Sequence, residues 1–383
     1  VNIARYKHAI RGNLSDQVLC NPPPTHYAWT SGKPVLRLAG AIAFAAVGFL
    51  VTCCLVRPLI RDPIGLYAEI RSEKLALARQ WAGVASIAAF GSSHVDCGFD
   101  PRAFDAAFSS PTKHPVSLNL GVAGGSQIEQ TAVAREYERQ VAASGAPATA
   151  HVLLLEANSG VNFTGKFMTH PRSINIYDAN ALRLALQFSD PKLGRVRALG
   201  RSLVAIGDYL LNFMNVGMLS SQIFPAQLNA ALVGTQTTAD RRGLSPPPPS
   251  PMDVRDTRDI HTLVESLPPK PSVSPAVLTP GLCAEARSLV QDAKGTQTYR
   301  IVYFVTPKLT DLRSYDTYPQ TITCGGLVIP IIDVALPAEN PGLYDISLWH
   351  DINHLNERGA GVYSKLLGRA LKGALGQDIS AIF

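Results

Sequence analysis

The sequence predicts an α/β protein: a three-layer α/β/α sandwich on a mainly parallel sheet, preceded by one N-terminal transmembrane helix. Three observations predict it. Short, nearly continuous apolar runs alternate with patterns of helical period; residues able to do chemistry fall directly after those runs; and one uninterrupted apolar stretch lies near the N-terminus.

That stretch comes first. From Leu38 to Val56, LAGAIAFAAVGFLVTCCLV has no ionisable side chain except Cys53 and Cys54, and it is just long enough to cross a hydrocarbon core as a helix. A run apolar on every face weighs against a buried core helix. A cleaved signal peptide would follow a shorter leader and precede a small-x-small site. Residues 1–37 carry Arg5, Lys7, Arg11, Lys33 and Arg37 against Asp16 alone, whereas Arg57 and Arg61 beyond the run are partly offset by Asp62 and Glu69. The positive-inside bias therefore makes residues 1–37 a cytoplasmic segment and 38–56 a single-pass anchor. The rest of the chain would lie outside the cytoplasm, in a periplasm or at the cell surface. There Cys283 and Cys324 are candidates for a disulfide, with buried free thiols at Cys97, Cys283 and Cys324 as the alternative.

Five strands follow: ASIAAF ending at Phe90, PVSLNL at Leu120, HVLLLE at Glu156, YRIVYFV at Val305 and GLVIPIID at Asp333. Continuous apolar runs of this length suit strands buried on both faces of a parallel sheet. The helices between them have readable ends. Asp100-Pro101 pairs a cap residue with proline at the first helical position, and Ser126 with Glu129 has the capping-box spacing. LCAEARSLVQDAKG stops at Gly295, a C-cap residue type. A last helix from about Asn356 to Leu375 is expected to bury Val362, Leu366, Leu367 and Leu371.

The sandwich domain is thus expected in two parts, 60–162 and 281–383. Residues 163–234 read as a helical lid inserted after the third strand; Asp208 and Asn212 in its most apolar segment argue against a second membrane span. Residues 235–280, rich in proline and serine, read as a mobile linker, a simple spacer rather than a proline-motif ligand at Pro246–Pro249.

Composition limits the function. The chain has 383 residues, 46% of them hydrophobic, so a large core is within reach, and a formal charge of +6 is spread thinly. It has no dense basic patch, zinc-finger spacing or RNP-like motif, so no nucleic-acid partner is expected. No His/Asp/Glu cluster has metal-ligand spacing, and neither a metal nor an organic cofactor is implied.

The chemistry lies at the strand ends. Ser92 and Ser93 follow the first strand, GVAGGS the second and EANSG the third, while WHDINHLNERG stands just ahead of the last helix. In doubly wound folds such loops converge on one rim. A nucleophile, glycine amides, an asparagine and an Asp-x-x-His pair are what acyl transfer requires. His94 adjoins Ser93, and neighbouring side chains diverge, so it reads as a hydrogen-bonding residue rather than the base. His350 reads as a surface neighbour of Trp349, Ser92 as a turn residue, and Asp96 and Asp100 as turn and cap residues.

In this order the motifs resemble those of the SGNH/GDSL hydrolase superfamily. Gly91-Ser92-Ser93 resembles the Gly-Asp-Ser block, with serine for aspartate; NLGVAGGS resembles the second block, and Glu156-Ala157-Asn158 the Gly-x-Asn block, with glutamate for glycine. Asp351-Ile352-Asn353-His354 matches Asp-x-x-His. The resemblance covers roughly residues 84–375 outside the lid and linker, and it implies an SGNH/flavodoxin-like sandwich. It also implies a triad of Ser93, His354 and Asp351, and an oxyanion hole of the Ser93 and Gly124 amides with the Asn158 side chain. The expected function is a membrane-anchored serine esterase or O-acyltransferase that acts on ester-linked acyl groups, acetyl foremost, of a polysaccharide or lipid. The alternatives are a weakly active or inactive glycan-binding or scaffold module, with an envelope-complex partner, and a lipase or lysophospholipase.

Overall fold

The computed structural model describes residues 33–56, 66–108, 115–145, 151–157, 176–187, 194–213, 241–247, 275–292, 299–309, 318–337 and 339–376. The chain divides into two units after Thr52. Most of helix α1 (Lys33–Val56) belongs to the first. The helix starts five residues before the uninterrupted apolar run, with Pro34 in its first turn, where a missing N–H leaves no intrahelical bond unmade. Its span Val35–Thr52 is long and apolar enough to cross a membrane, and no other helix among the described residues is.

The second unit alternates helix and strand. It runs α2 (Leu66–Trp81), β1 (Ile87–Phe90), α3 (Ser93–Gly98), α4 (Pro101–Ala106), β2 (Ser117–Asn119), α5 (Gln127–Ala143) and β3 (His151–Glu156). There follow α6 (Ala179–Gln187), α7 (Arg195–Phe213), α8 (Pro275–Asp292), β4 (Tyr299–Phe304), β5 (Thr321–Cys324), β6 (Leu327–Ile332) and α9 (Glu357–Leu375). The six strands form one sheet in the order β2-β1-β3-β4-β6-β5. All neighbours are parallel except β5, which runs antiparallel to β6. After β1 the chain moves outward to β2, then returns across β1 to β3. The carboxyl ends of β1 and β3 flank this reversal, which is where open α/β sheets bind ligands.

The continuous apolar runs are explained by burial on both sides. Ala88, Phe90, Leu153, Leu155, Ile301 and Tyr303 join one core cluster with residues of α2, α5, α6 and α8. Their neighbours in sequence, Ile87, Ala89, Val152, Leu154, Val302 and Phe304, join another with α3, α4 and α9. Strand residues alternate between faces, so a strand covered on both must be apolar throughout.

Four expectations change. β5 was not foreseen; it pairs with β6 through Gly325 and Gly326, both at positive φ (63° and 92°), as a two-residue hairpin turn demands. Cys283 of α8 and Cys324 of β5 form a disulfide, their Cα atoms 5.2 Å apart, which decides between the two alternatives for these thiols. The expected linker 235–280 contains packed structure. Leu244 and Ser245 are buried, Asn119 N–H donates to Arg242 O (2.9 Å), Arg242 pairs with Asp105 (2.5 Å), and α8 already begins at Pro275. These residues form a strap along the β2 edge because that edge strand would otherwise leave ladder groups unpaired.

In α9, Val362 is exposed, and the buried stripe is Ala360, Tyr363, Leu367, Leu371 and Leu375. Tyr363 OH donates to Val305 O (2.7 Å), so an aromatic with a polar handle holds the helix rotation that spacing alone left open. Gly295 lies outside the described residues.

Candidate active site

The β1–α3 turn sets the site. A Cβ on Gly91 would sit 2.3 Å from Val95 Cγ2 and 2.7 Å from Glu156 Oε2, so only glycine lets the chain turn this tightly under the end of β3. Ser92 then caps α3, its Oγ accepting from His94 N–H at 3.3 Å. Ser93 is the first helical residue and is half-buried.

Two groups fix α3 from beneath. Asn119 Nδ2 donates to Val95 O (2.7 Å), Asp96 O (3.1 Å) and Phe99 O (2.7 Å), and its Oδ1 accepts from Gly121 N–H (3.0 Å). Asp96, expected in a turn, lies inside α3 and pairs at 2.7 Å with Lys74 of α2, a lysine with no exposed side-chain surface. Lys74 also donates to Gly243 O of the strap and to Asn119 O (3.3 Å). A buried charge is tolerable only with such compensation. Asp100 caps α4 as expected, accepting from Arg102 and Ala103 N–H.

The histidine arrives from the far end of the chain. Asp351 Oδ1 accepts from the backbone N–H groups of Asn353 (2.7 Å) and His354 (2.8 Å), which folds DINH into a closed turn. Leu309 N–H, just past β4, donates to Ile352 O (3.2 Å) and ties this turn to the sheet. Asn356 caps α9 and also donates to Ser347 O (2.8 Å) and Trp349 O (3.3 Å).

The result is a continuous chain of polar contacts. Asp351 Oδ2 lies 2.9 Å from His354 Nδ1, and His354 Nε2 lies 3.0 Å from Ser93 Oγ. With the proton on Nδ1, His354 donates to the carboxylate and its Nε2 accepts from the Ser93 hydroxyl. His354 is 8% exposed, so the imidazole is largely shielded from water. Although burial pushes the Asp351 carboxyl up, hydrogen bonds and charge from His354, with the two backbone donors, hold it below the ordinary range, so it stays ionised.

His94 does not occupy the base position. Its Nδ1 lies 2.8 Å from Ser92 Oγ, and its ring stacks on His354 with centroids 5.4 Å apart. Burial is the main cause that lowers its pKa to about 3, against the pull of Glu156, so His94 is neutral. His350 is half-buried beside Trp349, and its N–H donates to His354 O (2.8 Å).

Glu156 matters more than the sequence indicated. Its Oε2 accepts from Ser92 N–H (2.7 Å), its Oε1 accepts from Thr306 Oγ1 (2.6 Å), and Lys308 Nζ lies 3.8 Å away. Burial pushes its pKa up, but the Lys308 charge and the two hydrogen bonds outweigh it and bring the net shift below the ordinary value. Thr306 and Lys308 directly follow β4, and their place at a strand end was the one available sequence signal. Behind them Gln130 bridges Glu156 O (3.3 Å) and Glu285 (3.1 Å). Glu285 is a fully buried carboxyl pushed up to about 7 by desolvation despite donors from Thr131, Gln127, Tyr303 and Gln130.

The structure therefore brings Ser93, His354 and Asp351 together. Gly124 lies exposed in the β2–α5 turn at φ 63°, a conformation that favours glycine, and this turn is tied to the β1 end by Val122 N–H donating to Gly91 O (2.9 Å). Asn158 lies outside the described residues, one position past Ala157, whose N–H donates to Phe304 O (2.7 Å). Among the described residues no group of three or more His, Cys, Asp or Glu side chains could hold a metal ion. No protein-family model, curated protein or solved structure matches the chain.

Proposed function

We propose that the protein is a membrane-tethered serine esterase or O-acyltransferase that works on acyl esters outside the cytoplasm. The observation that carries this reading is the Ser93–His354–Asp351 chain, with both imidazole nitrogens in use, Nε2 3.0 Å from the hydroxyl and Nδ1 2.9 Å from the carboxylate. In the proposed mechanism Ser93 Oγ attacks the ester carbonyl carbon while its proton passes to His354 Nε2. Asp351 stabilises the imidazolium that forms. The oxyanion would take hydrogen bonds from the Ser93 and Gly124 N–H groups and the Asn158 amide. On collapse the ester C–O bond breaks and His354 returns the proton to the departing alcohol. Water, or an acceptor alcohol in a transferase, then releases the acyl group from Ser93 by the same steps in reverse.

Three further observations support the parts of this reading. The two core clusters on opposite faces of the sheet suit a three-layer α/β/α sandwich of the SGNH type. The Cys283–Cys324 disulfide suits an oxidising compartment, as the charge bias around α1 does. The two positions where the motifs depart from the family pattern are also in contact, since the Glu156 carboxylate accepts the N–H of Ser92. The acidic group absent at position 92 is supplied from the end of β3.

A fluorophosphonate probe on the full-length protein in detergent tests the proposal. Activated Ser93 should label within minutes and Ser93→Ala should not. A folded wild-type protein that fails to label leaves a binding or scaffold module instead.

A further inference from the structure

We infer that α7 is an interfacial helix whose outer face lies in an anionic phospholipid surface. The inference rests on the reading of α1 as a membrane anchor, and the experiment below separates the two. The helix is amphipathic with its faces reversed for a soluble protein. Asp208 and Asn212, in its C-terminal half, are buried at 8% and 5% exposure. Val196, Leu199, Leu203, Ile206, Leu210 and Phe213 recur at intervals of three and four residues, and all are exposed, Val196 at 85% and Leu203 at 61%. They form one stripe along a helix of 19 residues, about 28 Å long.

The inner face explains why the helix stays in this rotation. Tyr177 OH donates to Ala205 O (3.1 Å), and Tyr177 and Tyr209 meet edge to face, so the helix is held by its polar and small-residue side. An apolar stripe of this length left in water is a liability unless something covers it.

Charge identifies the cover. The sequence of α7 carries Arg195, Arg197 and Arg201, and its one acidic residue, Asp208, is buried. Arg197 is exposed beside Val196. Anionic headgroups supply the countercharge to exposed Arg197, and acyl chains accept the leucines. The chain also carries its own candidate membrane span, Val35–Thr52.

The test uses the full chain reconstituted in vesicles of mixed anionic and zwitterionic phospholipid. A photo-crosslinking residue, p-benzoylphenylalanine, replaces Leu203 in one variant, Val196 in a second and Phe44 of α1 in a third; Phe44 is 82% exposed. Lipid adducts from all three positions support the inference. So does a severalfold loss of the Leu203 adduct, with the Phe44 adduct unchanged, when Arg197→Gln and Arg201→Gln are combined. Lipid adducts from Phe44, with dimer crosslinks, intrachain crosslinks or nothing from Leu203 and Val196, overturn it while leaving the anchor intact. Absence of an adduct at Phe44 overturns the anchor and the inference together.

Discussion

Two serine–histidine–carboxylate groups stand side by side at the end of β1, and in only one does the histidine link hydroxyl and carboxylate through opposite nitrogens. In the first, Ser93 and Asp351 engage opposite nitrogens of His354. In the second, Ser92 Oγ (2.8 Å) and Glu156 Oε1 (3.7 Å) both approach Nδ1 of His94, whose buried Nε2 has no hydrogen-bond partner among the described residues. The rings stack at an interplanar angle of only 21°. Similar residue types therefore engage both ring nitrogens in one case and a single nitrogen in the other. A base must take a proton on one nitrogen while the other is held in its tautomer, and His94 has no second anchor.

The largest expected effects separate the two groups. Ser93→Ala and His354→Ala should each lower acylation by an activated acetyl ester by about 10⁴-fold or more, and Asp351→Asn by about 10²- to 10⁴-fold through the wrong tautomer. Stopped-flow acylation rates check this. If His94→Ala is as inactive as Ser93→Ala while His354→Ala keeps its rate, the roles assigned to the two rings are reversed.

Glu156→Ala comes next. It strands the Ser92 N–H and the Thr306 hydroxyl, so unfolding stability should fall by about 1–3 kcal/mol. Turnover should fall up to about 10²-fold because the Ser93 turn shifts. Denaturation in urea measured beside kcat tells a brace from a group needed for stability alone.

A paired substitution sharpens the comparison. Ser92→Asp places a second carboxylate against Glu156 and should cut turnover about tenfold, since like charges about 4 Å apart repel by roughly 4 kcal/mol at an effective dielectric of 20. Adding Glu156→Gly should restore most of it. If the double variant is no better than Ser92→Asp alone, the two positions are not coupled.

His94→Asn should change acylation least, by less than about tenfold. Its signature is in pH. The folded-state pKa of about 3 lies below the ordinary histidine value of 6.5, so between these pH values the unfolded chain holds a proton that the folded chain does not. The stability contributed by neutral His94 is complete above pH 6.5 and is lost as pH falls towards 3, at up to roughly 1.4 kcal/mol per pH unit. Unfolding measured from pH 7 to 4 should show a shallower acid slope in the variant.

How much of this was legible in the sequence follows from the range of each interaction. The five parallel strands were, because burial on both faces leaves an apolar run that no neighbour can disguise. The cap residues Asp100 and Ser126 were, because a cap acts within three positions. β5 was not, although its Gly325-Gly326 turn is a local signal; the strand is four residues long, and its alternating burial matches an edge rather than a core strand. The Ser93–His354 contact spans 261 positions and became legible only through motif order. Lys74 was not legible at all. Nothing near it in the sequence shows that Asp96 and the carbonyl of Gly243 will meet it in the core.

The strap at residues 241–247 bears on the order in which the chain can be completed. β2 is finished at Asn119, yet the carbonyl that accepts Asn119 N–H belongs to Arg242. At 5–20 residues per second, those roughly 120 intervening residues take about 6–25 s to synthesise. For that interval the β2 edge is an open template for another strand, and Lys74 lacks one of its carbonyl partners. The nascent chain thus carries this open β2 edge from the time its Ser93 turn has been made until the strap arrives to cover it.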